Sequence, residues 1–307
     1  MGELSRNNVA TERAVIATFN KSFKATGQHP LMQIARKYNS TNLIERHVGL
    51  GEVAEMREFR DEKVETGIAE RALTVENKRY EATVKIHKDA MRLDNAGIVD
   101  DKISSITRRG VLYPGKLISD LLIAAEGTTI SACYDGQPMF SNSHPVTDSE
   151  GGVQDNLFSK SNSSPTSAHI LTDLNTAITF FRNVKDSKGV PMNEGLDLDL
   201  IMVIPPAIEK STREALGADM LSNTTNVDKN RARYIVNPRL TDTSDFYVFN
   251  VADPMSMPFG IQENEALKPS FLGEGSDTYF RTGYALASVE WMGRAFYSWW
   301  QNACKFT

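Results

Sequence analysis

The sequence predicts an α+β chain, and three stretches carry that prediction. Tyr80, Ala82, Val84 and Ile86 alternate with Glu81, Thr83, Lys85 and His87, the period of two of a half-buried strand. Ile103, Ile106, Gly110, Tyr113, Leu117 and Leu121 recur at steps of three and four, which gives a long helix one largely apolar stripe. Leu198 to Ile204 is a nearly continuous apolar run, as in a strand covered on both faces, and Pro205-Pro206 ends it and opens a helix through Ala215.

Residues 1–28 are polar with a weak helical period through Val15, Ile16, Phe19 and Phe23, which predicts an arm carrying a short helix. Leu31 to Tyr38 adds another helical turn or two, closed by the turn residues Asn39 to Asn42. From 43 to 90 charge is spread along nearly the whole segment. Val53 to Arg60 is the natural partner of the strand at Tyr80, and Asp61 to Asn77 lies between them with Gly67 as its tightest point. The expected element is a long, charged β-hairpin with an elaborated tip. An isolated two-stranded ribbon is marginal in water, so it needs support from its own domain or from a neighbouring subunit, and the sequence leaves both open.

Asp94 to Glu126 is the strongest helical region. Pro114-Gly115 interrupts it, which predicts two collinear helices or one kinked helix ending before Gly127. Tyr134 to Val146, YDGQPMFSNSHPV, combines a turn signal at Asp135-Gly136 with two prolines and three short polar residues, and reads as an ordered, extended connector. Thr147 to Ser167 is a Ser-, Asn- and Gly-rich loop. Ile170, Leu171, Leu174, Ile178 and Phe181 then describe an amphipathic helix capped by Thr166 or Ser167. Short strands at Tyr234–Val236 and Phe246–Asn250 complete a compact α/β unit. Pro258 to Gln262, Thr278 to Ala287 and Val289 to Tyr297 are strand-like, and Trp291, Phe296, Tyr297, Trp299 and Trp300 supply core or subunit-contact aromatics.

Composition narrows the function. A chain of 307 residues with 40% hydrophobic content can build a sizeable core. No run approaches the ~20 apolar residues that span a bilayer, and the N-terminal stretch lacks the apolar core of a signal peptide, so synthesis in the cytosol and no membrane partner are expected. A net charge of -5 argues against a dedicated nucleic-acid binder, although a surface that merely encloses nucleic acid is compatible with it. Cys133 and Cys304 show no metal-ligand spacing and read as buried thiols.

Each chemical motif is weak. Gly110-x-x-x-x-Gly115-Lys116 satisfies most of a phosphate-binding loop, yet Leu117 stands where a Ser or Thr must reach Mg²⁺ and no buried strand precedes it. Gly273-x-Gly275 lacks a third glycine and a preceding strand of the dinucleotide-binding kind. The five histidines, His29, His47, His87, His144 and His169, form no metal-binding pattern. His144 with Ser141 or Asp148 suggests a hydrolytic pair, but no nucleophile elbow exists, and a histidine that hydrogen-bonds the connector explains it better. No catalytic, cofactor-binding or metal residue is assigned, and an enzyme is not expected.

Four segments in order carry a resemblance: YEATVKIHKDAMRLDNAGIVDD after the charged hairpin, GQPMFSNSHPV after the long helix, DLIMVIPPAIEKSTREAL, and FRTGYALASVEW. From about residue 15 onward the chain resembles the major head subunit of Mu-type tailed phages and prophages, which has the Hong Kong 97-type capsid fold. The resemblance implies an N-terminal arm over 1–42, an extended β-hairpin loop over 43–90 that reaches over a neighbour, and a peripheral domain with a spine helix over 91–164. It further implies an α/β axial domain over 165–255 and a return to peripheral-domain strands over 256–307. The implied function is self-assembly, as hexamers and pentamers, into an icosahedral virion shell around double-stranded DNA bound without sequence specificity. A separate scaffold is expected because no scaffold-sized region precedes the arm, together with a head protease, a portal and a decoration protein. The alternatives are an encapsulin-like compartment shell of the same fold and a hydrolase using His144 and Ser141.

Overall fold

The structure, a computed structural model, describes residues 2–48, 72–92, 97–145, 152–186, 189–221 and 223–307. Helix α1 (Gly2–Ala25) runs through a 3₁₀ turn (Pro30–Ile34) into strand β1 (Ala35–Asn39). Strands β2 (Ile44–Val48) and β3 (Ala72–Glu76) pair as a hairpin, followed by β4 (Lys78–His87), the short α2 (Lys88–Arg92) and the long α3 (Ile98–Ile123). The connector contributes β5 (His144–Pro145), which pairs with β6 (Val153–Gln154); β7 (Leu157–Phe158) comes next. The middle of the chain supplies α4 (Ser167–Asn183), β8 (Leu200–Ile204), α5 (Glu209–Gly217), a small hairpin of β9 (Met220–Leu221) and β10 (Thr224–Thr225), β11 (Ala232–Val236) and β12 (Phe246–Asn250). The chain closes with β13 (Phe259–Leu272), α6 (Asp277–Thr282), β14 (Tyr284–Tyr297) and β15 (Ala303–Phe306).

Two sheets organise these elements: a four-stranded one in the order β1-β13-β14-β4, and a five-stranded one in the order β11-β8-β12-β15-β7. Every residue of β8 is buried, and the period of two sorts them. Ile201 and Val203 join the core shared with α3, while Leu200, Met202 and Ile204 join the core beneath α4 and α5. Strand β12 divides the same way, with Tyr247 and Phe249 on the first side and Phe246 and Val248 on the second. The five-stranded sheet is therefore a partition between two cores, which is why its central strands read as continuous apolar runs. A third core under α1 joins Val15 and Phe19 to Ile103 and Ile106 of α3 and to Val289 of β14.

Helix α3 lies where the cores meet. Its stripe faces the cores as read, with Ile103 and Leu121 each 2% exposed and Gly110, Tyr113 and Leu117 half-buried. Two carbonyls at its C-terminal end accept only short i+3 bonds, Leu121 O from Ala124 N at 3.1 Å and Leu122 O from Ala125 N at 3.4 Å, and tyrosines from both sheets add a second donor to each: Tyr297 Oη donates to Leu121 O at 2.8 Å and Tyr247 Oη to Leu122 O at 3.3 Å. Burial pushes both phenols up, Tyr247 to about 12, so each stays a donor across the physiological range.

Several expectations are corrected. Of the two alternatives at Pro114 the single helix holds, and the division into two does not: α3 is continuous across it, because the one lost bond falls at Gly110 while both flanking turns are packed. Ala35 to Tyr38 is strand, not helix, since pairing parallel to β13 outweighs local propensity. Thr278 to Thr282 is helical, capped by Ser276, whose Oγ accepts from Tyr279 N at 3.2 Å, and closed by Gly283 at φ +70°. Helix α1 is 24 residues long rather than short. Within 147–167, read as a loop, β6 and β7 form. The run 256–307 does not stay in one sheet: β15 crosses into the five-stranded sheet and pairs with β12. Strand β4 pairs with β14, and its expected partner at 53–60 lies outside the described residues.

Replacing Tyr297 by Phe removes one buried hydroxyl donor with little change of volume. We expect a loss of about 1 kcal/mol in unfolding free energy by urea titration, and an unchanged midpoint would show that the helix end is satisfied without it.

Candidate assembly site

The connector is built by short-range turn chemistry and then locked to the far end of the chain. Gly136, at φ +80°, allows the turn in which Gln137 N donates to Asp135 Oδ1 at 3.1 Å and Cys133 N to Gln137 O at 2.9 Å. This aims the other carboxylate oxygen inward, where Asp135 Oδ2 lies 2.7 Å from His144 Nδ1, with the two side chains 1% and 0% exposed. The His144 ring stacks on Trp300 at 3.9 Å and an interplanar angle of 6°. Beside it, Gln301 Nε2 donates to Tyr134 Oη at 2.7 Å, and Asn156 Nδ2 donates to the carbonyls of Met139, Trp300 and Ala303. Residues 134–145 and Asn156 are thereby tied to 297–303.

The hydrolytic pair of the alternative reading, His144 with Ser141, is not assembled. Ser141 Oγ is 3.0 Å from Ser143 Oγ, and His144 Nε2 has no hydrogen-bond partner among the described residues. Asp148 lies outside the described residues. The partner His144 does take, Asp135, was visible in the sequence only as a turn former. Gly110 to Lys116 is helix rather than phosphate loop, and Lys116 Nζ sits 2.6 Å from Asp120 Oδ2. Burial raises the thiols of Cys133 and Cys304 well above their usual range, so neither is a ready nucleophile. Among the described residues, no group of His, Cys, Asp and Glu has the geometry to hold a metal ion.

What the described surface offers instead is contact area. The β2–β3 hairpin turns Ile44 and Val48 outward at 55% and 57% exposure, with Leu43 at its base at 55%. Its opposite face is held by its own subunit: His47 Nε2 lies 2.8 Å from Gln262 Oε1, and its ring stacks on Phe296 at 4.6 Å. At the base, Asn77 Nδ2 donates to Ser40 Oγ and Asn42 O, and Glu45 Oε1 accepts from Ser40 Oγ and the N–H groups of Thr41 and Asn42. These donors, the Ser40 hydroxyl foremost, hold the Glu45 carboxyl below its usual range. The base of the ribbon thus finds its support within its own chain. A further exposed apolar residue was hidden by the strand reading of its segment: Phe280 on α6 is 89% exposed.

The model of the Mu-like prophage major head subunit gpT family matches residues 10–182. The Mu-like prophage FluMu major head subunit of Haemophilus influenzae is 28% identical over 137 residues, 44% of each chain. The major capsid protein of Escherichia phage Mu is 29% identical over 140 residues, 45% of each chain. The matched stretch thus spans less than half the length of either relative. The procapsid of bacteriophage JBD30 contains a chain that superposes with a TM-score of 0.54 at 19% identity, covering 97% of this chain and 75% of that one. The architecture described above is accordingly the Hong Kong 97-type capsid fold.

The His144 bond tests whether the connector is structural. His144→Ala strands the Asp135 carboxylate in the interior and removes the ring stack, so we expect a loss of about 3 kcal/mol or more by denaturant unfolding. A loss below about 1 kcal/mol would contradict the lock.

Proposed function

Because the chain belongs to the Mu-like prophage major head subunit gpT family, we propose that it is the major head protein that builds the icosahedral shell around phage DNA. The observation that carries this reading is the family match over residues 10–182, more than half of the chain. In this reading the subunit's role is structural. Subunits meet as hexamers and pentamers through the α/β axial unit of 165–255. Residues 1–42 act as the arm, 43–90 as the loop that reaches over a neighbour, and α3 as the spine of the peripheral domain. The outward apolar face of the β2–β3 hairpin, Ile44 and Val48, supports the loop assignment because its other face is already occupied at home. Each such contact is weak, but a closed shell engages many at once, and this multivalency makes the container stable.

The partners that follow are a scaffold, a head protease, a portal and a decoration protein. The cargo is double-stranded DNA held without sequence readout, in keeping with a chain of net charge -5. The alternative use of the same fold, a compartment around cargo enzymes, would reveal itself as particles that fill with protein rather than accept DNA.

Among the described residues the hairpin ladder runs to the pair Val48 with Ala72, where a two-residue Asn-Gly turn can close it in place of residues 49–71. We expect this variant to keep the thermal midpoint of the isolated subunit and to lose particle yield by about tenfold or more in sucrose gradients, since one lost contact is repeated over the whole shell. Equal loss of stability and assembly would assign 49–71 to the subunit's own core.

A further inference from the structure

Between α3 and the four-stranded sheet lies a cavity of about 260 Å³ that no described side chain fills. Three rings wall it: Tyr80 and Tyr113 at 4.8 Å between centroids, with Trp291 5.8 Å from Tyr80 and 6.4 Å from Tyr113. Gly110 contributes to the wall, where the absence of a side chain leaves room beside Leu267. Arg109 and Glu81 stand at the lining, and neither has an ion-pair partner among the described residues. The site is apolar and aromatic inside, with one base and one acid beside it.

The same chain carries a knob of matching character. Phe280 is 89% exposed on α6, so its ring is free to be buried against a partner. Beside it on the helix are one acid and one base, Asp277 and Arg281, which among the described residues pair with each other at 2.9 Å, both about three-quarters exposed. The knob cannot enter its own cavity. From Tyr284, which follows α6, to Trp291 the chain runs seven residues of extended strand, roughly 23 Å.

Resting on the shell reading above, we propose that the Tyr80–Tyr113–Trp291 cavity receives Phe280 from a second copy of this chain, with Asp277 turning to Arg109 and Arg281 to Glu81. The contact joins two different patches, so each subunit gives a knob and takes one, the arrangement that propagates around a closed shell. Exchanging an exposed intrahelical pair for two intermolecular pairs costs little, because such surface pairs contribute little on their own. The phenyl ring meets the tyrosine and tryptophan faces, where edge or offset ring packing adds to area burial.

The experiment places p-benzoylphenylalanine at position 280, which keeps the aromatic knob, and irradiates assembled particles made with the neighbouring head genes. Peptide mapping should find cross-links to 80–82 or 109–113 of another copy, and none in subunits kept below the assembly concentration. Cross-links to any other segment, such as 277–283 of a third subunit, or no intersubunit cross-link at all, overturn the proposal while leaving the shell intact. If the wild-type chain forms no particles, the shell reading fails first and this inference falls with it. Independently, Phe280→Asp should lower particle yield by about tenfold or more with the subunit's melting unchanged, and Phe280→Leu should restore most of it. Equal yields from Phe280→Asp and wild type would also overturn the proposal.

Discussion

Two phenol hydroxyls at the end of α3 hold the architecture together. Tyr297 comes from the four-stranded sheet and Tyr247 from the five-stranded sheet, and they donate to consecutive carbonyls, Leu121 and Leu122. The backbone offers these carbonyls only i+3 bonds from Ala124 and Ala125, so the buried helix end draws its remaining donors from both sheets. Around that point the same core draws in Leu31 and Ile34 before β1, Met139 and Phe140 of the connector, and Trp299 and Trp300 after β14. Segments hundreds of residues apart in sequence are thereby committed to one another, and the outer surfaces are free to be used for contact.

The connector follows from this constraint. It leaves the helix end and must reach β7 and α4 past the C-terminal aromatics, so it is tied to them by the His144 bond, the ring stack and the Asn156 carbonyl clasp. A histidine in a proline-bounded polar loop looks like chemistry in one dimension. In three dimensions it is a buried hydrogen-bonding post with no solvent access. The exposed features, Ile44 and Val48 on the hairpin and Phe280 on α6, lie away from this junction and are the natural places for neighbouring subunits to act.

Much of the fold was legible where the physics is local or where burial writes a period into the chain. The α3 stripe, the two-faced strand β8 and the helix begun by Thr166 all sit where the pattern puts them, since burial on one face or two dictates which residues are apolar. What was illegible is non-local. The parallel pairing of β1 with β13, the crossing of β15 into the other sheet and the partner of β4 depend on register between segments with no sequence link. Ser276 and Gly283 cap α6, while the sequence pattern of Thr278 to Ala287 predicts strand, so this short helix was missed. Asp135 was assigned its turn and nothing more, because a turn former that also anchors a buried imidazole has no distinct signature. The aromatic cavity needs α3, β4, β13 and β14 together before it exists.

The most direct measurement is an electron cryomicroscopy reconstruction of the particles formed when the chain is co-expressed with its neighbouring head genes. The account predicts a closed shell of hexamers and pentamers in which the β2–β3 hairpin keeps His47 against Gln262 of its own subunit while Ile44 and Val48 lie against the next. Soluble monomers, or a shell in which that apolar face touches no neighbour, would contradict it.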